Sequence, residues 1–158
     1  MAKKGKRKAA AGDVATNRRA SHKYEFIERL EAGIELVGTE VKSLRAGQTQ
    51  IGDAYAAIED GEVWLRNAHI PAYDQAADNH DPERPRKLLL HRYEIERLIG
   101  RMQRKGLTLI PTRIYFKGPR AKVELALATG KQQHDRRREI RDRDVRREVE
   151  RELRDRER

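Results

Sequence analysis

The sequence predicts a mainly β protein with short helices (α+β), built as one small closed antiparallel barrel with polar extensions at both ends. Three observations carry this. Short runs alternate apolar and polar residues, as where Val123, Leu125 and Leu127 interleave with Lys122, Glu124 and Ala126. Turn dipeptides such as Asp60-Gly61 and Gly118-Pro119 separate the runs. With 39% charged and 37% hydrophobic residues, a chain of 158 residues has material for one core and little beyond it. About six strands around two or more helices must bury one face and dispose of their edges, and closing the sheet does both.

Residues 1–20 are rich in Lys, Ala and Gly without hydrophobic periodicity, and are expected to be a basic disordered N-terminal segment. The body then spans 21–130. Tyr24, Phe26 and Ile27 give a strand-like run, Glu31-Ala32-Gly33 can turn the chain, and residues 34–37 can return as its partner, so a hairpin is expected. Thr39 is placed to cap a short helix over 40–46, with Glu40 complementing its positive end, Val41 and Leu44 facing the body, and Gly47 stopping it. Residues 54–70 read as a second hairpin around Asp60-Gly61, which pairs Ile58 with Val63 and Ala56 with Leu65 on one face and Ala57 with Trp64 on the other. Residues 71–87, with Pro71, Pro82 and Pro85, form a long irregular connection of the kind that serves as a binding loop. Residues 88–90 are apolar, and 91–105 carry Ile95, Leu98, Ile99 and Met102 at helical spacing before Gly106. Residues 107–117 and 121–129 are paired strands, with Pro111 marking an edge or a bulge. Residues 131–158 hold only Ile140, Val145, Val149 and Leu153 as apolar residues, the last three spaced four apart. They read as a tail that folds on a partner, the alternative being a permanently solvated single helix.

Charge is distributed unevenly. Residues 1–23 hold 8 Lys/Arg and 1 acid, residues 24–130 hold 16 and 16, and residues 131–158 hold 12 and 9, so the excess of +10 lies in the two ends. A neutral body with cationic ends suits a polyanion, because each cation that meets a phosphate releases a condensed counterion. The absence of cysteine excludes disulfides and thiolate chemistry and fits a reducing compartment, so a cytoplasmic address is expected. No apolar run approaches the roughly 20 residues that span a bilayer, and no membrane association is expected. Gly33 and Gly38 have the spacing of a phosphate-binding loop, but Thr39 and Glu40 stand where that motif needs Lys and then Ser or Thr. His22, His69, His80, His91 and His134 are scattered without metal-ligand spacing, so no metal and no cofactor are expected. Asn79-His80-Asp81-Pro82 reads as an Asx-type turn before it reads as an acid and base pair. No catalytic residue can be singled out, and the chain is expected not to be an enzyme.

Several strings are specific. Asn17-Arg18-Arg19-Ala20, Glu31-Ala32-Gly33, Gly38-Thr39-Glu40-Val41-Lys42-Ser43-Leu44-Arg45-Ala46-Gly47, Asp60-Gly61-Glu62, Asn79-His80-Asp81-Pro82, Arg86-Lys87-Leu88-Leu89-Leu90-His91, Gly106-Leu107-Thr108 and His134-Asp135-Arg136-Arg137 occur in unbroken order. Together they resemble small protein B, the family of SsrA-binding proteins, over residues 17–137. The resemblance implies a barrel related to the oligonucleotide-binding (OB) fold. It implies that the body binds the tRNA-like domain of transfer-messenger RNA through Tyr24, Glu31, Glu40, Lys42, Arg45, Leu89, His91 and Lys122. Lys42, Arg45 and Lys122 suit phosphates, Tyr24 and His91 suit unpaired bases, and Glu31 or Glu40 suits base edges or an arginine. Each has a plainer alternative: Glu40 serving only the helix dipole, Leu89 buried, Tyr24 a core ring with a wet hydroxyl.

By the same resemblance the tail, through Lys131, His134, Asp135, Arg136 and Arg137, enters the empty messenger channel and decoding centre and becomes helical there. Implied partners are the small ribosomal subunit with its 16S rRNA and, through the RNA, elongation factor Tu with GTP; the free protein is expected to be a monomer. Two departures stand out: Thr129 occupies a position where the family usually carries Lys or Arg, and residues 141–158 are denser in Arg, Asp and Glu than the family's usual ending. The expected function is ribosome rescue by trans-translation. The alternative is a structural ribosomal protein or an initiation-type factor on a similar barrel.

Overall fold

The computed structural model describes residues 12–104, 106–130 and 133–156. Its elements run β1 (Asp13–Thr16), α1 (Ala20–Lys23), β2 (Tyr24–Ile34), α2 (Gly38–Ala46), β3 (Tyr55–Glu59), β4 (Glu62–Arg66), β5 (Arg86–Leu89), α3 (Arg92–Met102), β6 (Leu107–Lys117), β7 (Arg120–Gly130) and α4 (Gln133–Arg156). The strands are bonded in the order β1-β6-β3-β4-β5-β2-β7, and β7 pairs again with β6. Strands β2 to β7 therefore close into an antiparallel ring, the barrel that the alternating pattern predicts. Closure removes the exposed edges that an open sheet of this size would present.

Leu44, Ile51, Val63, Leu65, Leu88, Leu109, Ile114, Val123, Leu125 and Leu127 fill the interior, and Leu98 of α3 packs onto the same cluster. The β3–β4 hairpin has the predicted register, Ala56 facing Leu65, Ala57 facing Trp64 and Ile58 facing Val63. Its tip, Asp60 (φ 51°) and Gly61 (φ 75°), takes positive φ at both central positions, the geometry whose twist matches the flanking strands.

Two bulges decide which side chains face outward. In β2 the register with β7 shifts between Phe26 and Glu28, and in β6 it shifts between Pro111 and Arg113. An extra residue reverses the alternation. On one side of the bulges Tyr24, Phe26, Ile110, Ala126 and Ala128 form a small outer cluster with Ala20; on the other side Arg113, Tyr115 and Lys117 become the outward residues of β6. Pro111, which has no N–H to give, sits where the ladder is interrupted.

Several expectations are corrected. The hairpin expected over 24–37 is one continuous strand, because Gly33 is not a turn residue: it pairs with Lys122 on one side and Leu89 on the other. A Cβ at Gly33 would stand 3.1 Å from the Leu89 Cβ, so the glycine serves close strand packing. Thr39 does not cap α2. Val37 precedes the helix, its amide donates to Glu40 Oε1 at 3.0 Å, and the Thr39 hydroxyl faces His80 Nδ1 at 2.9 Å. Gly47 does end the helix, at φ 85°.

The irregular connection stops at Pro85, since Arg86 and Lys87 already belong to β5, and the second long helix is shorter than expected, Arg92–Met102. The segment expected to lack structure up to residue 20 contains β1, which pairs with Arg113, Ile114 and Tyr115 where β6 extends past β3. Four residues are too short a run to show a period in sequence. Asn17 then seals the β6 bulge, its amide donating to the Thr112 carbonyl at 2.7 Å and its Nδ2 to the Pro111 carbonyl at 3.0 Å.

Candidate nucleic-acid interface

Strands β2, β7 and β6 lie side by side, and beyond their bulges they carry a polar outer face. Tyr115 is opposite Lys122, which is opposite Gly33; Arg113 is opposite Glu124, which is opposite Glu31. The Tyr115 hydroxyl donates to Glu31 Oε2, and Lys117 Nζ lies 3.5 Å from Glu31 Oε1. The Tyr115 bond, with the nearby lysines, holds the Glu31 carboxyl below the ordinary carboxylate range despite some desolvation. Glu31 is therefore an ionised, oriented acceptor. The same contact, after desolvation, raises the Tyr115 phenol above its ordinary value. Arg113 bridges Asp13 at 3.0 Å and Glu124 at 3.2 Å, with its guanidinium 4.4 Å from the Tyr115 ring centre.

Next to this face a groove runs between β2, β5, β7 and α3, and Glu31, Leu89, His91 and Lys122 all line it. Leu89 is 52% exposed, so its buried alternative fails. His91 stands immediately before α3 with its ring stacked on Tyr93, centroids 5.5 Å apart and planes 10° apart. Among the described residues neither Lys122 nor Arg120 makes a salt bridge.

Helix α2 presents Lys42, near the Tyr73 ring at 5.6 Å, and Arg45, over the Phe116 ring at 4.4 Å. Phe116 is itself one of the residues lining the groove, although Arg45 is not. Glu40 is different. Its side chain and that of Arg86 are both 0% exposed and bonded to each other, with Arg84 on the second Glu40 oxygen. Arg86 also donates to the carbonyls of Ala68 at 2.9 Å and Pro82 at 3.0 Å, so one buried guanidinium satisfies both ends of the irregular connection. Burial opposes the charge on Glu40, but its bonds from Arg84, the Val37 amide and Arg86 prevail and its pKa is lowered. Glu40 holds α2 against the barrel and offers nothing to solvent; it serves more than the helix dipole.

The connection is ordered by its own turn formers. Asn79 Oδ1 accepts from the Tyr73 amide at 2.8 Å, Asp81 Oδ1 accepts from the Glu83 amide at 3.0 Å, and His80 Nε2 donates to the Ile70 carbonyl at 2.9 Å. This is the expected Asx-type turn.

Tyr24 begins β2 opposite Gly130, half-buried against the small outer cluster. It lies roughly 23 Å along the strand from Glu31, at about 3.3 Å per residue, so the structure separates it from the other expected contacts.

A model of the SmpB protein family matches residues 14–155. The chain belongs to the SmpB family. An SsrA-binding protein of Mycobacterium sp. (strain KMS) is 57% identical over 141 residues, covering 89% of this chain and 84% of that protein. One of Syntrophomonas wolfei is 54% identical over 159 residues, covering 100% and 99%. A chain of a solved structure described as "tmRNA-SmpB: a journey to the center of the bacterial ribosome" is 52% identical with a TM-score of 0.64, covering 75% of this chain and 84% of that one.

Tyr115 and Lys117 stand against Glu31 on the same face and Tyr93 lines the groove, and none of the three is among the residues expected from the sequence. The first two could have been found once the bulge at Pro111 was known, because the reversal puts residues 113, 115 and 117 outside. Of the tail residues, Lys131 lies outside the described residues, and the backbone of His134, Asp135, Arg136 and Arg137 is helical. From residue 141 to 156 the α4 side chains are exposed, including the stripe of Val145, Val149 and Leu153. No helix among the described residues is long and apolar enough to cross a membrane.

Proposed function

We propose that the chain binds the tRNA-like domain of transfer-messenger RNA and delivers it to stalled ribosomes for trans-translation, with no covalent chemistry of its own. The observation that carries this is membership of the SmpB family over residues 14–155, supported by 54–57% identity to proteins named SsrA-binding and by likeness to a chain from a tmRNA-SmpB structure. The barrel is the RNA-holding part. Lys122, Lys42 and Arg45 meet phosphates, Glu31 accepts from a base edge, and Leu89 and His91 meet an unstacked base. Glu40 acts indirectly, by fixing the helix that carries Lys42 and Arg45.

Residues 131–158 form the second part, which enters the small subunit's messenger channel when it is vacant and reaches the decoding centre along 16S rRNA. Lys131, His134, Asp135, Arg136 and Arg137 lie at its root. Messenger already in the channel excludes the tail by volume and charge, so vacancy is what the tail senses. Elongation factor Tu with GTP joins through the RNA, and the work is done in the cytoplasm.

The test is to isolate the native protein and sequence the RNA that travels with it. A tRNA-shaped transcript is expected, bound with a steep loss of affinity as salt rises. Equal affinity for unrelated rRNA fragments would favour a structural ribosomal protein instead.

A further inference from the structure

We propose that His91 and Tyr93 form one stacking platform for an unpaired RNA base, with Tyr93 as a contact residue in its own right. The inference rests on the RNA-binding reading above and names a subsite within it. The two rings are near parallel, with centroids 5.5 Å apart and planes 10° apart, a stacked pair that a further flat ring can join. Tyr93 is 67% exposed and its hydroxyl has no partner among the described residues, so the ring does little for the core. Its backbone is fixed in the first turn of α3, and His91 is held in extended geometry just before it. The surface is therefore built before any ligand arrives, and little rotamer freedom is lost on binding.

The surroundings fit a nucleotide. Leu89, Arg120 and Lys122 line the same groove, and among the described residues neither of the two cations makes a salt bridge, which leaves them to meet a phosphate. Four of the six carboxylates lining the groove are paired with cations, Glu28 with Arg97 and Arg101, Glu62 with Lys87, Glu31 with Lys117 and Glu96 with Arg92, while Asp60 and Glu94 make no salt bridge among the described residues. Unpaired bases are commonly held by aromatic faces, and stacking tolerates any base, so Tyr93 adds affinity without reading sequence.

The experiment titrates full-length protein with the transcribed tRNA-like domain of transfer-messenger RNA over a salt series. Y93A is expected to weaken binding about 5- to 100-fold at every salt concentration without changing the slope of log affinity against log salt, because no counterion is involved. Y93L should lose as much, since bulk without a π face does not stack, whereas Y93F should bind like the parent. K122A should behave differently, making the slope shallower by about 0.7 to 0.9. Parental affinity in Y93A, a changed slope in that variant, or retention by Y93L would each overturn the platform while leaving RNA binding intact. Failure of the parent protein to prefer this RNA over unrelated transcripts would instead remove the reading beneath it.

Discussion

Glu40 and Arg86 are sealed from solvent together, and each makes sense only because the other is there. Removing one partner of such a pair strands a buried charge at a cost of about 3–5 kcal/mol. Glu40→Ala should lower unfolding free energy by that order in a urea titration; Arg84→Ala, whose side chain is partly solvated, should cost clearly less. Acid should act at the same site. Unfolded, Glu40 titrates in the ordinary carboxylate range; folded, it titrates below it. A depressed folded pKa contributes stability that is complete above the ordinary range and is lost as pH falls through it toward the folded value. Glu40→Gln should accordingly flatten the acid side of the stability profile, below about pH 5, and an unchanged acid limb would contradict the account.

Among the elements, β6 depends most on something outside itself. At its bulge Asn17 bonds two carbonyls from outside the β6–β7 pair, its amide donating to that of Thr112 and its side-chain Nδ2 to that of Pro111. Asn17 also accepts from the Ala20 amide at 3.2 Å, which ties α1 to the same point. Asn17→Ala should destabilise the barrel by about 1–3 kcal/mol, the cost of buried polar groups left unpaired. The loss should appear as a lower urea midpoint with an unchanged m value, because the surface exposed on unfolding stays nearly the same. Helix α4 is the contrasting element. Its described side chains from 141 onward touch solvent, and its stripe is one residue wide, so tertiary packing gives it little support.

For the whole molecule the barrel closes without α4, and the proposed function gives recognition of RNA and sensing of the ribosome to these two separable parts. A chain ending at residue 130 should bind the tRNA-like RNA with nearly parental affinity and fail to support tagging of stalled peptides in a reconstituted translation assay. Loss of both together would mean that the tail helps to build the first interface.

Local chemistry was enough for the pieces that close on themselves. The β3–β4 register follows from Asp60-Gly61 and the alternation beside it; the β6–β7 hairpin follows from Gly118-Pro119; the end of α2 follows from Gly47. The family resemblance pointed to Glu31, Leu89, His91 and Lys122, and these do share one groove. What sequence by itself could not determine is every feature set by distant residues. Gly33 looked like a turn until Leu89 was placed against it, Glu40 looked like a dipole partner or an RNA ligand until Arg84 and Arg86 enclosed it, and Asn17 looked disordered until the β6 bulge needed it. The physical reason is common to all three: a side chain's environment depends on which strand lies beside it, and in this barrel those neighbours come from segments far apart in the chain.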